Sequence, residues 1–188
     1  MKEQDQGRSP DVQDSQDRER FERLVLPHMD AAYNLARWLL RNSHDAEDVA
    51  QEALLRALRF IGGFHGEDAR AWLLRIVRNT CYTWLEKNRP ADLMTEFDEE
   101  AHSQTTATPE TLAIAAGDRE RLAAALGGLS PRFREVLVLR EIEGCSYREI
   151  AQIISIPIGT VMSSLARARH QLQRSLTGAA QKEAAREL

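Results

Sequence analysis

Cysteine is scarce in this chain: Cys81 and Cys145 are the only two in 188 residues. Two cannot build a disulfide framework, and neither sits in a CxxC or CxxH spacing of the kind that holds zinc. Cys81 is expected in half-buried packing, and Cys145, beside Gly144, in a more exposed position. The histidines are as uninformative: His28, His44, His65, His102 and His170 fall at no ligand spacing. HExxH, a phosphate-binding loop and a dinucleotide fingerprint are all absent. No catalytic set survives, so the chain is not expected to be an enzyme, and neither a metal nor a cofactor is expected. No apolar run approaches the roughly 18–20 residues needed to cross a bilayer. The first ten residues, MKEQDQGRSP, contain no apolar signal region. The expectation is a cytoplasmic protein with no membrane insertion of its own. Aromatics make up 6% and hydrophobic residues 43%, enough for one modest core or two small ones rather than a large α/β enzyme.

The bulk charge argues against nucleic acid, since 25 Lys and Arg face 29 Asp and Glu for a formal net charge of −4. The distribution argues otherwise. Residues 70–89 carry five basic side chains and one acidic, and residues 119–175 carry nine and five. Between them, residues 90–118 hold seven acids and no base. Two basic blocks are thus separated by an acidic bridge.

Helical periodicity dominates the chain, and no strand pattern is convincing anywhere. Phe21, Leu24, His28, Ala31, Leu35 and Leu39 recur at spacings of three and four, with Pro27 dividing a short helix from a longer one. Asn42-Ser43 makes a break and an N-cap, with Asp45 and Glu47 in the first turn, where the helix dipole favours acids. That helix runs to about Ile61 with Ala46, Val49, Ala50, Ala53, Leu54 and Ala57 inward, and Gly62, Gly63 and Gly66 mark a flexible loop. The next, over 69–87, places Trp72, Ile76, Thr80 and Thr83 along one stripe beside Leu73 and Val77, and ends at Pro90. From 91 to 111 the chain is acidic, Ser/Thr-rich and aperiodic, and reads as a linker. Beyond it, Ser130-Pro131 supplies an N-cap and a proline at the first helical position, and Gly144 a stop. Ser146-x-x-Glu149 forms a capping box, and Pro157 opens a last helix with Val161, Leu165, Ala168 and Leu172 inside. The expected architecture is all-α: two small helical domains joined by a flexible acidic linker, the second a helix-turn-helix. Residues 1–20 are expected as a disordered tail, 21–90 and 112–176 as the domains, 91–111 as the linker and 177–188 as a second tail.

In a helix-turn-helix the second helix enters the major groove. At 100° per residue, the inward stripe leaves Ser163, Ala166, Arg167 and His170 facing outward, flanked by Met162 and Arg169. Arg167 is placed to read a guanine edge. Ser163 and Ala166 keep the face low enough for backbone to approach the bases. Arg148, Arg169 and Arg174 suit phosphate contacts, which supply affinity but no sequence information. A merely amphipathic hairpin with solvated arginines would show the same periodicity.

The wording of three blocks is more specific. Asp45-Ala46-Glu47-Asp48-Val49-Ala50-Gln51-Glu52, then Ala71-Trp72-Leu73-Leu74-Arg75-Ile76-Val77-Arg78-Asn79, resembles the sigma subunits of bacterial RNA polymerase of the extracytoplasmic-function class. The C-terminal blocks Leu129–Val136, Ser146–Ala151 and Pro157–Val161 are similar as well, and the resemblance covers about 21–89 and 112–176. It implies that Asp45, Asp48, Gln51 and Glu52 bind the basic clamp-helix coiled coil of the polymerase core. It implies that helix 71–89 lies on the promoter minus-ten element, with Arg75, Arg78, Lys87 and Arg89 as phosphate contacts and Asn79 facing the strand. The loop Phe64–Arg70, with His65, would embrace a base flipped from the non-template strand, where close contacts must offset a few kcal/mol of unstacking. The helix-turn-helix would read the minus-thirty-five duplex through Arg148, Thr160, Met162, Ser163, Ala166, Arg167, Arg169 and His170.

Trp72 and Trp84 also fit plain core packing, Asn79 a core hydrogen bond, and Tyr82 either base stacking or no role. Family members often carry Arg or Lys at the positions of Met162 and Ser164 and a bulkier residue at that of Ala166. This recognition helix is less basic, which shifts binding toward Arg167, Arg169, backbone amides and DNA shape. The resemblance further implies an anti-sigma factor as partner, a monomer when free, and an acidic linker that either mimics RNA phosphates or is simply solvated. The competing reading is a helix-turn-helix regulator whose N-terminal half senses a ligand or dimerises; such a protein has no use for both N-terminal blocks.

Overall fold

The computed structural model describes residues 10–89 and 114–184, and everything it describes is helix, turn or short connection. The expected linker, 91–111, lies outside the described residues. In the N-terminal half, α1 (Pro10–Leu24) leads through a single 3-10 turn at Leu26–His28 into α2 (Met29–Leu40). Pro27 stands in that turn, dividing the helices as expected. Asn42 caps α3 (Ser43–Phe60): its side-chain oxygen accepts from the backbone N–H of His44 at 2.9 Å and of Asp45 at 3.1 Å. Asp68 caps α4 (Ala69–Asn88) by accepting from the Ala71 N–H at 2.8 Å. Helices α2, α3 and α4 pack on one another around Leu35, Leu39, Leu40, Ala46, Ala53, Leu73, Leu74 and Val77, all essentially excluded from solvent.

Two expectations shift here. Helix α1 begins at Pro10, inside the stretch expected as a tail. Few of its residues are apolar, so what holds it is tertiary: Phe21 is buried, and Arg20 Nη2 donates to the Phe64 carbonyl at 2.6 Å. A Cβ at Gly62 would stand 2.8 Å from the Asp17 carboxylate, which would have to swing aside. The inward stripe of α4 is also rotated. Leu73, Leu74, Val77, Thr80, Cys81 and Leu85 are buried, whereas Trp72, Ile76 and Thr83 are only partly covered.

The C-terminal half comprises α5 (Ile114–Gly127), α6 (Pro131–Leu137), a π-helical turn at Val138–Ile142, α7 (Tyr147–Ile154) and α8 (Ile158–Ala184). Ser130 occupies the N-cap position of α6 without a side-chain cap bond. The capping box of α7 is complete: Glu149 accepts from the Ser146 N–H at 2.7 Å, and the Ser146 hydroxyl accepts from the Glu149 N–H at 3.2 Å. Three residues, Ser155–Pro157, join α7 to α8, and the helices meet at 100°, within the range of a helix-turn-helix.

The two halves are docked, which the sequence pattern does not reveal. Helix α4 packs on α7 and α2 on α6, so one continuous cluster of buried side chains runs from Phe21 to Ala168. Arg134 on α6, 4% exposed, stands at the junction. It donates to the carbonyls of Leu126, Gly127 and Leu129 at 2.8–2.9 Å, and to those of Trp38 and Leu39 at the C-terminal end of α2 at 3.4 Å. Cys81 is fully buried and Cys145 is 1% exposed, correcting both cysteine expectations. Each lies near the seam, and burial raises the pKa of each thiol.

Candidate nucleic-acid interface

Helix α3 presents the expected acidic ridge. Asp48, Gln51 and Glu52 are exposed along one side, with Ala46, Val49, Ala50 and Ala53 buried opposite. Asp45 is half-buried and paired with Arg89 at 3.1 Å, and Glu52 accepts from Arg56 at 2.7 Å. Leu55 continues the ridge one turn beyond Glu52 and is 61% exposed. Acids followed by an uncovered leucine suit a basic partner that also offers an apolar socket. Leu55 is missing from the sequence-level site because a leucine beside an alanine stripe reads as core.

The residues expected at the minus-ten element divide into two sets. Arg75, Asn79 and Lys87 are exposed, Arg75 and Asn79 one turn apart on the same side of α4. His65 is exposed in the loop after the 3-10 turn at Ile61–Gly63. Phe64 is not: it is 8% exposed, its ring 4.8 Å from that of Trp72. The loop is folded over its own phenyl group, so of these two residues His65 is the one that reaches solvent. Arg70 and Arg78 face the other half of the molecule. Arg70 donates to both the carboxylate of Glu143, at 2.9 Å, and its backbone carbonyl. Arg78 Nε donates to Glu135 Oε1 at 2.7 Å, and its guanidinium lies 4.4 Å from the Tyr82 ring centre. The Tyr82 hydroxyl donates to the second oxygen of Glu135 at 3.2 Å. Burial works to lower the pKa of Arg78, yet Glu135 and Tyr82 hold it above its ordinary value. Burial pushes the Glu135 carboxyl up, against the pull of Arg78, Tyr82 and Arg132.

Helix α8 shows a clean division. Val161, Ser164, Leu165 and Ala168 are buried, while Met162, Ser163, Ala166, Arg167, Arg169 and His170 are exposed and Thr160 partly so. Ser164 therefore faces the core, so its lack of a positive charge takes nothing from the outward face. Arg169 pairs with Glu141 at 2.6 Å, while Arg148 is exposed on α7. Glu135, Glu143 and Arg134 are the residues sequence reading overlooks, because their role exists only once the halves meet. Among the described residues, no group of three or more His, Cys, Asp or Glu is arranged to hold a metal ion.

Comparison with known proteins gives two family matches in chain order. Residues 24–90 match sigma-70 region 2, and residues 119–172 match sigma-70 region 4. The chain is 35% identical over 155 residues to the ECF RNA polymerase sigma factor SigE of Mycolicibacterium smegmatis, across 81% of this chain and 60% of that protein. It is 34% identical over 169 residues to the RNA polymerase sigma-H factor of Pseudomonas aeruginosa, across 85% of this chain and 88% of the relative. Among solved structures it resembles the sigma factor RpoE of Bartonella quintana, in co-crystals with the anti-sigma factor NepR. There the TM-score is 0.65 at 29% identity, over 84% of this chain and 96% of that one. CnrH in complex with the cytosolic domain of CnrY matches with a TM-score of 0.62 at 27% identity, over 89% and 96%. With both conserved regions matched in order and homologues of this class aligned along most of its length, the chain belongs to the sigma-70 family, as an extracytoplasmic-function sigma factor of bacterial RNA polymerase.

Proposed function

We propose that this chain brings core RNA polymerase to promoters carrying a minus-ten and a minus-thirty-five element, and that the polymerase performs all the chemistry. The α3 ridge of Asp48, Gln51 and Glu52, with Leu55 beside it, docks on the core enzyme. Arg75, Asn79 and Lys87 on α4, with His65 in the adjoining loop, meet the melted minus-ten strand. Arg70 and Arg78 join them when the halves separate. Helix α8 lies in the minus-thirty-five major groove, Arg167 reading a base while Arg148 and Arg169 hold phosphates. The acidic segment between the halves spans the distance between the two elements.

One observation carries this reading: α8 presents Met162, Ser163, Ala166, Arg167 and His170 together, all exposed, on a helix set at 100° to its partner. An anti-sigma partner is proposed as well. The likeness to a sigma factor solved in complex with an anti-sigma factor supports that reading. The protein would act where the polymerase acts, in the cytoplasm.

Run-off transcription with purified core polymerase, on promoters mapped from transcript starts after overexpression, tests the whole. The wild-type chain is expected to give promoter-dependent transcripts. The double variant Asp48→Lys, Glu52→Lys is expected to abolish them, because it reverses the charge of the core-facing ridge. Tight promoter binding by the chain alone, with no initiation when core is added, would show an ordinary DNA-binding regulator instead.

A further inference from the structure

We infer that Arg20 is a positioning residue for promoter recognition: by holding the Phe64 carbonyl, it keeps His65–Glu67 in one conformation for a minus-ten base. This rests on reading that loop as a base-contacting element. Arg20 lies on α1, 44 residues before Phe64 in the chain. Besides burying Phe21, α1 brings Arg20 to the loop, where Nη2 donates to the Phe64 carbonyl at 2.6 Å. Phe64 is held through both its main-chain groups and its ring. Its N–H donates to the Ile61 carbonyl at 3.0 Å, closing the 3-10 turn, while its carbonyl is the acceptor for Arg20. Its ring lies 4.8 Å from that of Trp72, and Gly66 lies against the ring edge, where a Cβ would stand 2.9 Å from Cε2. At the other end of the loop, Asp68 accepts from the Ala71 N–H at 2.8 Å and starts α4. His65, Gly66 and Glu67, all exposed, are thus suspended between two fixed ends.

A loop discriminates between bases only as sharply as its supports hold it. Ordering a loose loop at the moment of binding costs conformational entropy, whereas a loop already ordered meets the strand without that loss. A loosened loop also adapts to several bases, so discrimination falls before affinity does. The bond from Arg20 suits this task because its donor is charged and its acceptor is main chain. Charge-assisted hydrogen bonds are stronger than neutral ones. A tethered carbonyl fixes the path of the chain, where a tethered side chain would fix only one rotamer. Arg20, itself part-buried, acts through Phe64 rather than on DNA.

The test uses holoenzyme reconstituted from the full chain and purified core polymerase, on promoters mapped from transcript starts. Competition binding against fork-junction templates, each with one changed base in the single-stranded minus-ten strand, measures discrimination position by position. His65→Ala marks the position that the loop contacts. Arg20→Met, which keeps the stem and removes the donors, is expected to lose about tenfold of the preference at that position, within the range of one well-placed base contact. Core affinity and minus-thirty-five discrimination are expected to stay unchanged. Arg20→Lys keeps a charged donor and is expected to recover most of the preference. Arg20→Gln, neutral and shorter, replaces the methionine variant if circular dichroism shows that one misfolded. Equal weakening on all templates, or lower core affinity, would mean that Arg20 merely holds the fold, and overturns the positioning role. So does an unaltered preference at every position in both the methionine and the glutamine variant. In that case, a position still marked by His65→Ala shows a loop that contacts DNA without help from α1. If His65→Ala marks none either, the base-contacting reading of the loop fails as well.

Discussion

Arg134 shows how much one side chain can organise. A guanidinium has five N–H donors and cannot shed its charge, so burying it requires acceptors on every side. Here they are main-chain carbonyls: three where α5 gives way to α6, and two at the end of α2, where the helix dipole is negative. Removing the guanidinium strands those carbonyls in a dry seam, at about 1–3 kcal/mol for each left unsatisfied. Arg134→Met, which keeps most of the volume, is expected to lose about 3 kcal/mol or more of stability in urea titration, far beyond a surface arginine. Arg167 is the opposite case, an exposed arginine that the proposed function assigns to a base. Arg167→Ala is expected to leave stability unchanged and to cost about 1–3 kcal/mol of discrimination at one minus-thirty-five position. Competition binding against single-base promoter variants would read that loss, and equal weakening on all variants would reassign Arg167 to a phosphate. The exposure of Arg167 was legible because it depends only on helical spacing. Arg134 was not, since nothing local distinguishes a buried arginine from Arg132 two residues before it.

At the scale of the element, the legible features were those written into short stretches of chain. The Ser146–Glu149 capping box, the Asn42 cap and the Pro27 break all form where the sequence places them, because each depends on neighbours within four residues. Helix α4 is the counter-example. Its inward stripe is turned from the expected Trp72, Ile76, Thr80, Thr83 line because α4 is covered on two sides, by α2 and α3 and again by α7. A helix buried against two surfaces has no single apolar stripe for periodicity to find. The capping box also carries a pH signature. Hydrogen bonds from Ser146 hold the Glu149 carboxyl below its usual range. A folded-state pKa that is depressed contributes stability at pH values above the unfolded one, and that stability is lost as pH falls through the folded value. Glu149→Ala is expected to cost about 1 kcal/mol at pH 7, or roughly 2–4 °C in melting temperature. The gap between variant and wild type should shrink below about pH 4, because protonation removes from the wild type the carboxylate contribution that the variant already lacks. A gap that stays constant down to pH 3 would show that the cap stabilises through packing rather than through the carboxylate.

For the molecule as a whole, net charge was the misleading quantity and its layout the useful one. The −4 total hides a basic α4 and a basic helix-turn-helix, with an acidic segment and an acidic α3 ridge to offset them. Free protein is therefore expected to bind DNA weakly, and the docked seam adds to that by engaging two arginines. Docking itself was invisible in the sequence, because complementarity between surfaces more than fifty residues apart leaves no periodic trace. It does leave a trace in unfolding. All three tryptophans, Trp38, Trp72 and Trp84, lie in the N-terminal half, so their fluorescence follows that half and, through Trp38, its edge of the seam, whereas far-ultraviolet dichroism follows the helices of both. If one continuous core joins the halves, the two signals should melt together, as cooperative unfolding requires. Arg134→Met removes the bonds that reach Trp38 and Leu39 across the seam together with those to Leu126, Gly127 and Leu129 inside the C-terminal half, so it loosens the seam and weakens that half. It is expected to part the curves, with dichroism falling over a wider range than fluorescence because the C-terminal half then melts by itself. Two separate transitions already present in the wild-type chain would mean that the halves dock too weakly to fold as a unit, and the seam would then be a contact sampled rather than held.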